Sequence, residues 1–151
     1  MNKIIKDTEV SMITGAKKVL VGGCFDIIHQ SHRDFLDKAK ALGDTLIVLL
    51  ESDENIKKLK GEDRPLNNHE RRAYKLSRIG AIDYIVSLSS QPTSEYYYNL
   101  VNSIKPAIIA ITKGDPLTEV KKDQAVMVGG DVIEVMDRNP EHSTTLLLEK
   151  D

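Results

Sequence analysis

Short apolar runs and amphipathic stretches alternate along the chain, and this alternation constrains the fold more than any other feature. Lys18-Val19-Leu20-Val21-Gly22 is short, β-branched and bounded by glycine. Similar runs occupy 44–50, 83–87, 107–111 and 132–135. Such runs fit strands buried within a sheet. Between them the apolar residues take helical spacing, as at Phe35, Leu36, Ala39 and Leu42. The spacing predicts helices over 31–42, 68–79, 93–104, 117–126 and 143–150. Asn68 reads as an N-cap, and Gly43 and Gly80 read as stops. The segment 51–65 reads as a charged loop, and 1–16 as a short helix with a turn at Thr14-Gly15. Tyr96-Tyr97-Tyr98 reads as surface or interface packing, because three successive residues cannot share one helix face.

Regular β-α alternation implies an α/β fold: a single-domain, Rossmann-like parallel sheet of about five strands flanked by helices. Residues 1–16 are expected to be an N-terminal extension and 17–151 the domain proper. At 151 residues the chain suits one domain. Roughly 68–70% of the unfolded surface is buried at this size, so no disulfide or metal is needed for folding.

The bulk numbers exclude several function classes. A formal net charge of -2 lacks the basic excess of a general nucleic-acid binder. The longest strongly apolar run, 46–50, is far short of a membrane span. Lys3, Lys6, Asp7 and Glu9 interrupt the N-terminus, so it has no signal-peptide core. A single cysteine, Cys24, forms no internal disulfide. A cytoplasmic protein with no nucleic-acid or membrane partner is expected.

In parallel α/β sheets ligands bind beyond the carboxyl ends of the strands. The segment after the first strand reads Gly23-Cys24-Phe25-Asp26-Ile27-Ile28-His29-Gln30-Ser31-His32. Glycine there allows a large anion to approach the backbone. The N–H groups and positive dipole end of the next helix favour that anion. His29 and His32, three apart, project to one side at the helix start and can donate to phosphate oxygens. Two other readings remain open. Cys24, His29 and His32 could ligate a metal, although a structural zinc normally takes four ligands and the other histidines are His69 and His142. Cys24 could be a nucleophile, although no Cys-His geometry follows from the sequence. The chain has no G-x-x-x-x-G-K-[ST] and no G-x-G-x-x-G after the first strand.

G-C-F-D-x-x-H-x-x-H resembles the motif of the HxGH cytidylyltransferase-like nucleotidyltransferases, with Ser31 where that motif usually has Gly. The likeness runs from Lys18 to Lys150. Ser52-Asp53, Leu59-Lys60-Gly61-Glu62, Arg64-Pro65-Leu66-Asn67 and Glu70-Arg71-Arg72 resemble the adenylyltransferase domain of the ADP-heptose synthases of lipopolysaccharide core biosynthesis. Glycerol-3-phosphate cytidylyltransferases and archaeal FAD synthetases are near relatives. Ser143-Thr144-Thr145 resembles the signature that opens the family's last helix, and Arg138 stands five residues before it. Lys113-Gly114-Asp115-Pro116 is one Gly shorter than the Lys-Gly-Gly-Asp typical of the heptose enzymes.

The resemblance implies a HUP-type nucleotidyltransferase domain over 17–151. It implies transfer of AMP from ATP to a phosphorylated acceptor such as a sugar 1-phosphate, releasing pyrophosphate. It also implies Mg²⁺ entering with ATP (or CTP), and it admits a homodimer. His29, His32, Lys60 and Arg72 would be catalytic. Gly23, Cys24, Phe25 and Asp26 would line the nucleotide, Asp26 either ordering its loop or helping to hold Mg²⁺. Ser143, Thr144 and Thr145 would contact the β- and γ-phosphates. Lys113 and Asp115 would border the base, with Arg138 as a further cation. A glycerol-3-phosphate-type cytidylyltransferase, an FMN adenylyltransferase and a nucleotide-binding regulatory domain without turnover are the alternatives.

Overall fold

The computed structural model describes residues 3–137. The expected terminal helix over 143–150 lies outside them.

Six strands form one sheet: β1 (Ile4–Lys6), β2 (Lys18–Gly23), β3 (Thr45–Leu50), β4 (Tyr84–Ser87), β5 (Ile108–Lys113) and β6 (Asp131–Asp137). Their order is β1-β4-β3-β2-β5-β6, and every pair is parallel. Among the described residues five α-helices connect them: α1 (Gln30–Lys40), α2 (Asp53–Lys60), α3 (His69–Ser77), α4 (Ser94–Ile104) and α5 (Thr118–Met127). None of the helices among the described residues is long and apolar enough to cross a membrane.

The sheet separates two apolar clusters. Val19, Val21, Leu46, Val48 and Leu50 face α1 and α3 through Leu36, Ala39, Ala73 and Leu76. Leu20, Ile47, Leu49, Ile109 and Ile111 face α4 and α5 through Leu100, Val101, Ile104 and Ala125. Strand β3 is buried along its whole length, which is why it reads as an unbroken apolar run and not as an alternation. Burying each of Leu46, Ile47 and Leu50 contributes roughly 1.5–3 kcal/mol relative to leaving it exposed.

The structure corrects the sequence reading in four places. The N-terminal segment is a strand, β1, followed by a 3-10 helix over Asp7–Met12, where a short helix was expected. With β1 the sheet has six strands among the described residues, one more than the five read from the apolar runs. At three residues β1 is too short to show a period; its place at the edge is set by pairing, Ile5 lying opposite Val86. The charged stretch after β3 contains α2. Ser52 Oγ accepts the Asn55 N–H at 3.0 Å, and acidic residues at the start and lysines at the end suit the helix dipole. Its apolar face is narrow, Ile56 being its buried hydrophobic residue, so periodicity could not reveal it. Finally, Tyr96 and Tyr97, expected as surface or interface packing, are partly buried and pack against the second apolar cluster.

After β4 the chain crosses to the far side of β2, so the topological switch lies between β2 and β5. These neighbours share only two register pairs, Val19 with Ile108 and Leu20 with Ile109. β2 then runs on to Gly23 and β5 to Lys113. The two strands therefore part toward their carboxyl ends, at the place where parallel sheets receive ligands.

Candidate active site

The loop that leaves β2 is fixed by contacts with distant residues. Phe25 takes a left-handed backbone conformation, φ 48°, which is strained for an aromatic residue. Its ring is buried and lies back over the end of β2. A Cβ on Gly23 would sit 2.9 Å from that ring, so glycine is needed for the close approach. Asp26 is 2% exposed. Its Oδ2 accepts the Arg64 Nε–H at 3.0 Å and the Leu66 N–H at 2.8 Å, and its Oδ1 accepts the Asn67 N–H at 2.8 Å. Asn67 Nδ2 donates back to the Asp26 carbonyl at 2.7 Å. Burial alone would raise the Asp26 pKa. The two backbone N–H groups and the Arg64 guanidinium outweigh it and hold the carboxyl below its ordinary range. In the structure Asp26 orders the loop.

His29 is the N-cap of α1, with extended backbone, and His32 lies one turn on. The rings are stacked, with centroids 4.1 Å apart and planes 22° from parallel. Phe25 meets His32 edge-on at 5.5 Å. The His29 N–H donates to His32 Nδ1 at 3.4 Å. That acceptance places the proton of a neutral His32 on Nε2, so this nitrogen is a donor. The helix entrance thus has imidazole edges beside its opening N–H groups and its positive dipole end. A helix entrance of this kind favours a phosphate oxygen.

Arg72 is fully buried. Its Nη1 donates to the carbonyls of Cys24 at 2.8 Å and Glu51 at 2.9 Å, its Nε to the Asn67 carbonyl at 3.0 Å, and its Nη2 to Asp53 Oδ1 at 2.7 Å. One planar guanidinium therefore ties the residues just beyond β2 and β3 to the 67 loop and to the start of α2. A phosphate-facing cation was expected at this position. The structure instead places a brace whose donors go to protein acceptors. Lys60, in the last turn of α2, is half-buried.

Across the parting, Lys113 ends β5 and is exposed, and Gly114 turns the chain with φ 83°. Asp115 shapes the entry to α5: its Oδ1 accepts the Leu117 N–H at 2.7 Å, and Lys121 pairs with its Oδ2 at 2.7 Å. Lys113 and the loop of Gly23, Cys24, Phe25 and Asp26 thus extend from the two strands that flank the switch. Arg138, Ser143, Thr144 and Thr145 lie outside the described residues.

Among the described residues no three His, Cys, Asp or Glu side chains gather as a metal cage. Cys24, His29 and His32 do not form one there. Sequence reasoning gave no site role to Arg64, Asn67, Glu51 or Tyr97. The contacts that join Arg64 and Asn67 to Asp26, and Tyr97 to Glu51, span from 38 to 46 positions, and no local period reports on them.

The sequence model of the family described as cytidylyltransferase-like matches residues 20–150. The chain belongs to that family. A cytidylyltransferase-like chain is a nucleotidyltransferase. Curated relatives include the bifunctional protein HldE of a Nitratiruptor species, 37% identical over 98% of this chain and 32% of the relative. The HldE protein of Haemophilus influenzae (strain PittGG) is 35% identical over 90% of this chain and 28% of its own length. The chain therefore spans about a third or less of these relatives. A lipopolysaccharide core biosynthesis protein from Thermoplasma volcanium has a similar fold, with a TM-score of 0.65 and 23% identity over 82% of this chain and 97% of that one. A pantoate-beta-alanine ligase from Francisella tularensis, complexed with beta-gamma ATP and beta-alanine, has a TM-score of 0.63 and 14% identity over 91% of this chain and 68% of its own.

Proposed function

We propose that this chain transfers AMP from ATP to a sugar 1-phosphate, releasing pyrophosphate, as the nucleotidyltransferase part of an HldE-like activity. The observation that carries the reading is the stacked His29–His32 pair at the N-terminus of α1, beside the parting of β2 and β5. The heptose-like stretch over 60–72 and the HldE relatives support a sugar phosphate and ATP over glycerol 3-phosphate, FMN or CTP.

An oxygen of the acceptor phosphate attacks the α-phosphorus in line. The bond from that phosphorus to the bridging oxygen breaks, and pyrophosphate leaves with the electron pair. A phosphate monoester is largely dianionic at pH 7, so the nucleophile needs no general base. The protein's part is positioning and charge stabilisation. His29 and His32 donate to the triphosphate as charge shifts toward the leaving group. The backbone of Gly23, Cys24 and Phe25 lines the α-phosphate, with Asp26 and Arg72 as positioning residues that hold this loop rigid. Lys60, Lys113 and Arg138 supply positive charge, Ser143, Thr144 and Thr145 bind the β- and γ-phosphates, and Asp115 shapes the loop near the base. Mg²⁺ would enter with the nucleotide and neutralise phosphate charge, and Asp26, whose two oxygens are engaged by Leu66 and Asn67 N–H groups, keeps its role in ordering the loop.

A pyrophosphate-release matrix tests the reading. ATP, CTP and GTP are crossed with heptose 1-phosphate, glycerol 3-phosphate, phosphocholine, phosphoethanolamine and FMN. ATP with heptose 1-phosphate is expected to give the highest kcat/KM. Nucleotide binding without pyrophosphate from any pair would make the chain a regulatory nucleotide-binding domain and end this reading.

A further inference from the structure

A carboxylate stands at the carboxyl edge of the sheet, where a polyanionic substrate is to be bound. Glu51 directly follows β3, and its N–H donates to the Gly23 carbonyl at 3.1 Å. Arg72 joins the Glu51 carbonyl to that of Cys24. Strand alternation places Leu50 in the cluster under α1 and α3, and Leu49 in the cluster under α4 and α5. Glu51 consequently points to the α4 side, away from the histidines. There its Oε1 and Oε2 both receive the Tyr97 hydroxyl, at 2.9 and 2.8 Å, and Oε1 also accepts Asn55 Nδ2 at 2.8 Å. Cys24 borders this cluster and helps, in a minor way, to raise the Tyr97 pKa.

Anchoring α4 does not require this arrangement. Tyr96, one position earlier, already ties α4 down by donating to Asp7 Oδ2 at 2.6 Å and accepting the Ser89 N–H at 2.8 Å. Burial first, and then the charge of Glu51, raises the Tyr97 pKa so far that the hydroxyl keeps its proton and stays a donor. Tyr97 and Asn55 fix the Glu51 carboxylate in one orientation. Two carboxylate oxygens offer about four acceptor positions, so capacity remains beyond these two partners. A fixed anion with spare acceptor capacity favours hydroxyl groups and disfavours a second negative charge.

We propose, on the basis of the nucleotidyltransferase reading above, that Glu51 is the acceptor-selecting residue. It accepts hydrogen bonds from the hydroxyl groups of the sugar phosphate and rejects acceptors that carry an additional anionic group. Tyr97 and Asn55 are its positioning residues. The histidine side of the parting takes the triphosphate, and the α4 side takes the neutral, hydroxyl-bearing part of the acceptor.

The test uses a heptose 1-phosphate and its 7-uronate, in which the terminal CH2OH is a carboxylate. Equilibrium affinity and kcat/KM for both are measured on the wild type, Glu51→Gln and Tyr97→Phe, with ATP affinity and melting temperature alongside. The wild type is expected to prefer the neutral sugar by about 10²-fold, and Glu51→Gln to reduce that preference below about 10-fold. Tyr97→Phe is expected to raise the KM for the neutral acceptor and leave ATP affinity within about twofold. Tyr97→Phe decides the matter if Glu51→Gln does not fold. The assignment is overturned if the wild type binds neither sugar, if the preference is unchanged in the folded variants, or if a variant weakens ATP and both sugars equally. Absence of ATP binding to the wild type overturns the nucleotidyltransferase reading instead, and the acceptor affinities still judge Glu51.

Discussion

His29 and His32 stack at 4.1 Å, and the backbone N–H of the first donates to Nδ1 of the second. The pair is therefore a single preset unit: the bond that orients the His32 ring also fixes which of its nitrogens carries the proton. Neither ring has to be ordered when nucleotide arrives, and a donor that is already placed contributes most to charge that develops only in the transition state.

His29→Ala and His32→Ala are each expected to lower kcat by at least about 10²-fold, or about 2.7 kcal/mol of transition-state stabilisation. Melting temperature should change little, because both residues are only half-buried. Steady-state pyrophosphate release beside thermal melts checks this, and near-wild-type turnover in either variant would remove the pair from the mechanism.

Asp26 links the loop to acid stability. Its folded-state pKa lies below the ordinary value of 3.8. The stabilisation it provides is complete above that value and is lost as pH falls through the lowered pKa. Asp26→Ala also leaves Arg64 buried without its carboxylate, at a cost of about 3–5 kcal/mol, and Tm should fall on the order of 10 °C. Urea melts of the wild type and variant from pH 6 to pH 2 are expected to converge toward the acid end. Parallel curves would remove Asp26 from the acid response.

Arg72→Lys keeps the charge and loses the planar fork. A single ammonium cannot serve the Cys24, Glu51 and Asn67 carbonyls and Asp53 together. Leaving buried acceptors unserved costs about 1–3 kcal/mol each, so a loss of at least about 2 kcal/mol is expected. Hydrogen exchange should speed up at Cys24, Phe25 and Asp26. Wild-type exchange there would show that the brace is dispensable.

Gly23→Ala puts a methyl group against the Phe25 ring. The ring must move, and His32, which it touches edge-on, loses its neighbour. Nucleotide affinity should drop about 10-fold or more, in line with overpacking costs of roughly 1–3 kcal/mol. Calorimetric titration with ATP is the check, and unchanged affinity would show that the loop tolerates the shift.

The central sheet was legible because β2, β3 and β5 are buried and announce themselves as apolar runs. The N-cap Asn68 was equally readable, since capping is local chemistry. β1 and α2 were not, because one is three residues long and the other has a narrow apolar face. The segment 23–32 was read correctly as the turn from β2 into α1. The fate of Arg72 could not be read: a guanidinium looks the same in sequence whether it meets a phosphate or four protein oxygens. Glu51 and Tyr97 were invisible for a related reason, since their meeting depends on α4 returning under β3.

The brief pairing of β2 with β5 has a further consequence. The two walls of the cleft hang from strands that are nearly independent beyond Leu20 and Ile109. Either wall can be lengthened, shortened or stiffened without dislocating its opposite. The loop Lys113-Gly114-Asp115-Pro116 can therefore change in length or stiffness while the loop that carries His29 and His32 keeps its shape, so the architecture lets one side of the parting vary separately from the other.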